Sequence, residues 1–278
     1  MKIVKSSSVP PPADLVRIRG VQALAYRCAE EVASQLRPGI TEKQAAARLR
    51  RRLTEEGVED WFHVPFAWFG DRTTLQGFRN PLRFFPTSRR LEEGMPYILD
   101  MAPVRHGFTA DIGYSGCLGE NAIFEQMMSD LSEYRGLIRD EVRAGNSFRD
   151  IYASVDRLAA KHGYIPAHQA YPGKVLAHQV WPVHAPGPRT VVAGFGNRSL
   201  RLLARSLIVS AGEGWSPMWN GGKRSDHAPV VGLWAIEPHL GFRGVGVKFE
   251  ELLVVTEDDA YWLDDELPHV RRWSAAAV

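Results

Sequence analysis

Two aspartates, Asp100 and Asp111, stand eleven residues apart (111 − 100) on two strand-like runs, Tyr97 to Met101 and Gly107 to Gly113, joined by a turn at Arg105-His106-Gly107. Residues of like parity on opposite arms of a hairpin can share a face, so both carboxylates can enter one cavity. Buried carboxylates at that range repel, and a positive charge between them makes them tolerable. Farther along, His178, Glu237 in Trp-Ala-Ile-Glu-Pro and Glu250 in Val-Lys-Phe-Glu-Glu each sit inside an apolar run. The five form an oxygen-rich ligand set with one imidazole, suited to Mn, Co, Fe or Zn. Each has a plainer reading when taken alone. A lone aspartate beside a turn is usually solvated, and a histidine on an apolar strand is more often satisfied by a carbonyl than by a metal. His168 and His184 compete with His178, and of the adjacent Glu250 and Glu251 only one can face a site from a strand.

The elements that must position these groups fall into two halves. Arg37-Pro38-Gly39-Ile40-Thr41 opens a helix that runs toward Gly57, with Thr41 and Gln44 spaced as a capping box. Arg143-Ala144-Gly145-Asn146-Ser147 opens another that ends by Gly163, and the shared residues recur at one offset of 106 (143 − 37, 145 − 39, 147 − 41, 163 − 57). Each half reads as helices followed by strands. The bland alternative is that helix caps look alike everywhere.

With 278 residues and 45% hydrophobic content the chain can bury a large core as one domain. Its 34 basic and 32 acidic residues leave a formal net charge of +2, too balanced for a nucleic-acid partner. Cys28 and Cys117 lack CxxC spacing, which argues against a disulfide scaffold or thiolate zinc site. The amino terminus lacks the apolar core of a signal peptide, and no stretch approaches the roughly 20 apolar residues of a membrane span, so the expected location is cytoplasmic with no membrane partner. Expected boundaries are a tail over 1–13 and a single catalytic domain over 14–278, with an insertion over roughly 190–228.

Several motifs, taken in order, resemble the metallopeptidase family of methionine aminopeptidase, Xaa-Pro aminopeptidase and prolidase (M24) over roughly residues 14–264. They are Leu91-Glu92-Glu93-Gly94 before Tyr97-Ile98-Leu99-Asp100, Gly107-Phe108-Thr109-Ala110-Asp111, Ile236-Glu237-Pro238, and Gly246-Val247-Lys248-Phe249-Glu250 before Val254-Val255-Thr256-Glu257-Asp258. The resemblance implies an α+β fold of the creatinase or pita-bread type, with pseudo-twofold halves and helices outside a curved antiparallel sheet. It also implies two divalent metal ions: Asp100 on one, Asp111 and Glu250 bridging, His178 and Glu237 on the other. The Leu-Ala-His frame favours His178, and the Val-Lys-Phe-Glu frame favours Glu250. A water held between two cations would be the nucleophile, and Glu237 a proton shuttle. The reaction implied is hydrolysis of a peptide or small-molecule amide, and the family likeness alone suggests a homodimer.

Departures from the family pattern bear on substrate. A histidine used in substrate binding is absent, its position falling on Gln76 or Gly77. A second family histidine, usually seven residues after the metal histidine, has its nearest counterpart in His184, six on (184 − 178), as a catalytic candidate. Gly113 replaces a common threonine, and Lys248 stands where arginine is common, its plain reading being a solvated charge. Candidate substrate contacts are His63, Trp68, Trp181, His184 and Trp215, and aromatic residues around Trp61 to Phe69 suggest a large apolar pocket. Within the insertion, Leu200 to Ser210 reads as strand or short helix, and Gly212 to His227 as a loop that forms a lid or a mere surface contact. Three functions follow: a dinuclear aminopeptidase or Xaa-Pro peptidase, a same-fold metalloenzyme for a non-peptide small molecule, and a metal-free peptide-binding module.

Overall fold

Thr41 and Ser147, the residues matched across the 106-residue offset, are both helix N-caps. The Thr41 hydroxyl accepts from the Gln44 amide while the Gln44 side chain accepts from the Thr41 amide, a complete capping box. Ser147 accepts from the Asp150 amide. Gly163 ends the second helix with φ 75°, a left-handed turn that costs glycine little.

The computed structural model describes residues 8–184 and 186–276; the first seven residues of the expected tail lie outside the described residues, as do the last two of the chain. The first half contains α1 (Pro12–Ala33), α2 (Glu42–Glu55), β1 (Asp60–Phe69), β2 (Pro96–Arg105), β3 (Phe108–Thr109) and β4 (Ile112–Cys117). The second begins with α3 (Ala122–Arg143), α4 (Phe148–His162), β5 (Ile165–Pro166) and β6 (Ala177–Val180). Next come β7 (Val191–Val192), β8 (Phe195–Gly196), α5 (Asn197–Gly212) and β9 (Met218–Trp219). Finally β10 (Gly232–Ile236), β11 (His239–Phe242), β12 (Val245–Lys248), β13 (Glu251–Val255), β14 (Ala260–Trp262) and α6 (Pro268–Ala276) complete the described chain. Every strand pairing among the described residues is antiparallel, which makes the fold α+β. One sheet runs β3-β2-β1-β8-β7 with β4 beside β2, another β14-β13-β10-β6-β9, and a smaller one β12-β11-β5.

Two apolar cores accompany the halves. One lies among α1, α2, the first sheet and one face of the second sheet (Val180, Leu233, Ala235, Leu252, Val254), the other among α3, α4 and the opposite face of the second sheet. A few stitches hold the halves together at the level of the aspartate hairpin. Gly113 bridges to Glu250, and Tyr26 on α1 donates its hydroxyl to the carbonyl of Glu250 (2.7 Å), with that of Gly113 at 3.3 Å. Ser115 on β4 donates to the Lys248 carbonyl (2.7 Å) and accepts from the Lys248 amide (2.9 Å).

Leu200 to Ser210, left open between strand and helix, belongs to α5. The β7–β8 hairpin extends the first sheet through the pair His63 with Phe195, and β9 extends the second beside β6. Residues 190–228 are therefore attached to both sheets. None of the described helices is long and apolar enough to cross a membrane.

Tyr26→Phe removes one donor from two buried carbonyls at the junction of the halves. It should lower unfolding free energy by about 1–3 kcal/mol, measured by urea denaturation; an unchanged midpoint would show that the junction does not depend on this hydroxyl.

Candidate metal centre

Asp100 lies on β2, paired with Gly113 of β4, and Asp111 just precedes β4, so the hairpin register brings both carboxylates to one floor. His178 lies on β6, Glu237 follows β10, and Glu250 lies between β12 and β13. All five are buried. A sixth group, His63, enters from β1. That strand has register shifts between Trp61 and His63 and between His63 and Phe66. Such bulges break the two-residue alternation and re-aim a side chain.

The two oxygens of Asp111 divide the site. His63 Nε2 is 3.0 Å from Asp111 Oδ1 and 3.2 Å from Asp100 Oδ1. His178 Nε2 is 3.2 Å from Asp111 Oδ2 and 4.0 Å from Glu250 Oε1. In each trio, His63-Asp100-Asp111 and Asp111-His178-Glu250, one ligand atom per residue lies within 4.8 Å of the others.

Below these trios stands Lys248, completely buried. Its Nζ lies within hydrogen-bond range of Asp100 Oδ2 (2.6 Å), Glu250 Oε2 (2.8 Å), Glu237 Oε2 (3.0 Å) and the Tyr171 hydroxyl (3.0 Å), its three hydrogens shared among these four oxygens. The reading of Lys248 as a solvated charge is therefore corrected: it follows the parity of Glu250, two residues on, and points inward with it. Its stem explains Gly113, where a Cβ would lie 2.4 Å from Lys248 Cε. The hydroxyl is fixed in turn. His239 Nε2 donates to the Thr73 carbonyl (2.6 Å), which leaves Nδ1 to accept from Tyr171 (3.0 Å) and the tyrosine oxygen to accept from Lys248.

Among the protein's own charges, titration is far from ordinary. Burial would lower His63, but Asp111 and Asp100 carry it up to about 9. Burial likewise opposes charge on His178 and Lys248, yet the neighbouring carboxylates raise both. Burial pushes Glu250 and Glu237 upward, Asp111 adding to the effect on Glu250 and Lys248 opposing it on both. For Asp111 the two histidines overcome burial and hold the carboxyl well below its usual range.

The donor set fits divalent cations. His63 Nδ1 lies 2.9 Å from the Val64 carbonyl and His178 Nδ1 3.3 Å from that of Gln179. A carbonyl only accepts, so Nδ1 carries a hydrogen, and each Nε2 faces carboxylate oxygens either as N–H in the charged ring or as a lone pair in the neutral one. Converging lone pairs require a proton or a metal ion at that point, and a ligating histidine characteristically has its other nitrogen on a carbonyl.

Of the remaining candidates, Trp68 and Trp181 stay beside the cluster and the others do not. His184 is exposed and sits edge-on to Phe108 with ring centroids 5.2 Å apart, away from the cluster. His168 is buried against Asp156 at 3.1 Å. Trp215 packs in the second core with its indole nitrogen on Glu213. Trp181 borders a small crevice whose lining also includes Asp111 and His178. Glu251 turns away from Glu250 to Arg135 (2.7 Å) and His269 (3.0 Å).

Above the cluster opens a cavity of about 370 Å³. Its walls include Phe62, Phe66, Trp68, Phe84, Phe85 and Phe195, and its floor Asp100, Asp111, His178, Glu237 and Glu250. Gln76, exposed on the loop after β1, is not among the residues around it.

A model of metallopeptidase family M24 matches residues 16–257. Among solved structures, an X-Pro aminopeptidase from Thermotoga maritima MSB8 superposes with a TM-score of 0.67 at 18% identity, over 92% of this chain and 62% of that one. Dipeptidase PepE from Mycobacterium ulcerans gives 0.66 at 19%, over 94% and 60%. Methionine aminopeptidase from Rickettsia prowazekii gives 0.60 at 15%, over 92% and 99%. The chain thus spans about three-fifths of the first two relatives and nearly all of the third. Comparison with curated proteins gives no match.

Two outcomes follow with metal removed by chelator. Lys248→Met leaves three buried carboxylates without their shared cation and should cost about 3–5 kcal/mol; a loss below about 1 kcal/mol in urea denaturation would contradict the role given to Lys248. His63, with its folded pKa raised from 6.5 to about 9, contributes stability that is fully present below about pH 6.5 and lost as pH rises through about 9. Melting temperature should fall across that window in the wild type and stay flatter in His63→Gln, whereas parallel profiles would show that the contact is not formed.

Proposed function

Because this chain belongs to metallopeptidase family M24, we propose that it is a metal-dependent hydrolase that cleaves an amide bond beside a large apolar or aromatic group. The observation that carries this reading is the position of the aromatic-walled cavity directly above the acidic and imidazole cluster. Asp100, Asp111, His178, Glu237 and Glu250 would hold two divalent cations of the Mn, Co, Fe or Zn class. Bound there, the cations would lower the pKa of water and polarise the scissile carbonyl.

The chain's own groups supply the rest. Lys248 takes one oxygen each from Asp100, Glu237 and Glu250 and so fixes how the other oxygen of each is presented. Burial raises Glu237 above the usual carboxylate range, and its carboxyl on the cavity floor is placed to pass a proton to a leaving amine. The aromatic walls would exclude water and select an apolar substrate group.

A peptidase acting at a free amino terminus is the first form of this reading. A non-peptide amide is the second, and a specific observation favours it. Outside the cluster, the described residues around the cavity carry no charged side chain to receive a peptide's free amino or carboxyl end. Gln76 and Gly77 also leave the histidine implied by family likeness unreplaced.

The test is a substrate panel on protein stripped with chelator and reloaded with Mn, Co or Zn. Peptides with aromatic or aliphatic amino-terminal residues, Xaa-Pro peptides and aryl or alkyl amides should divide by apolar size. Asp111→Asn should lower turnover by at least about 100-fold, the range seen when a group stabilising the transition state is lost. Metal-independent cleavage, or equal rates on charged and apolar substrates, would overturn the proposal.

A further inference from the structure

His63 and His178 occupy matching positions on either side of Asp111. Each comes from a strand of a different sheet, β1 in the first half and β6 in the second. Each directs Nδ1 to the carbonyl of the next residue, Val64 or Gln179. Each directs Nε2 to one oxygen of Asp111, at 3.0 Å and 3.2 Å. Each ring lies stacked on a phenylalanine: His63 on Phe66 with centroids 5.1 Å apart, His178 on Phe62 at 5.2 Å. The resemblance assigns metal binding to His178 alone.

We propose that His63 is a second imidazole ligand, so that the centre holds one divalent ion among His63, Asp100 and Asp111 and another among Asp111, His178 and Glu250. The proposal rests on the metal-dependent reading above and adds a ligand to it. Three observations carry it. First, both nitrogens of His63 are committed, one to a carbonyl and one toward carboxylate oxygens, so it has no free donor for a substrate even though it borders the cavity. Second, a protonated Nε2 offers one hydrogen to two oxygens, whereas a cation can bind all three atoms at once. Third, Lys248 already engages Asp100 Oδ2 and Glu250 Oε2. The ion beside Asp100 therefore has fewer carboxylate oxygens available, and His63 Nε2 makes up the ligand number. The result is one imidazole per ion, a donor set that moves preference from the oxygen-seeking Mn toward Zn or Co.

Zinc serves as the probe. Chelator-stripped full-length protein is dialysed against excess Zn and analysed for bound metal, and zinc-edge X-ray absorption counts imidazoles around the ions. The wild type should hold two ions with an average of one imidazole each, and His63→Ala and His178→Ala should each retain one ion under the same conditions. Two ions retained by His63→Ala, a single wild-type ion, or an average of one half imidazole per ion would each overturn the assignment of His63 and leave the metal-dependent reading standing. No bound zinc in the wild type would overturn both. The absorption measurement needs no variant, so a failure of His63→Ala to fold does not block the decision.

Discussion

Four carboxylates buried in one place are the constraint around which this molecule is organised. Asp100, Asp111, Glu237 and Glu250 come from both halves of the chain and are all withdrawn from water. Isolated, each would face a desolvation cost large enough to force protonation. Lys248 offsets part of that cost by donating to three of them. The two histidines engage the fourth, one at each oxygen of Asp111. Its carboxylate thereby joins the trio His63-Asp100-Asp111 to the trio Asp111-His178-Glu250.

The surrounding structure serves that arrangement. Gly113 leaves room for the lysine stem, and Ser115 ties the Lys248 backbone to β4. Tyr26 reaches from α1 to the bridge between Gly113 and Glu250. Tyr171, His239 and Thr73 form a chain of hydrogen bonds that ends at Lys248 and runs toward the loop after β1. On that loop Arg72 is held by buried Glu42, which also accepts from Thr87.

Much of this was legible from local patterns. The capping box at Thr41, the serine cap at Ser147 and the glycine stops mark the paired helices, because cap chemistry depends on residues three apart. The hairpin carrying Asp100 and Asp111 followed from parity and a short turn. Lys248 had the same parity as Glu250, and that signal pointed inward; the expectation that a charge prefers water outweighed it. His63, expected as a substrate contact, borders the cavity, and two bulges in β1 interrupt the alternation that would show that it also faces Asp100 and Asp111. Trp215, within the insertion, packs into the second core, and His184 lies against Phe108 beside the turn after β2, placements set by long-range packing. Such tertiary outcomes leave no periodic mark on the chain.

The central claim is that the buried carboxylates and imidazoles converge on cations. Anomalous diffraction from crystals of the protein loaded with zinc, collected on both sides of the zinc absorption edge, tests it most directly. The account predicts two separate anomalous peaks flanking Asp111, one touching His63 and Asp100 and the other touching His178 and Glu250. A map without anomalous density there, with the same side chains joined only by their mutual hydrogen bonds and Lys248, would contradict it.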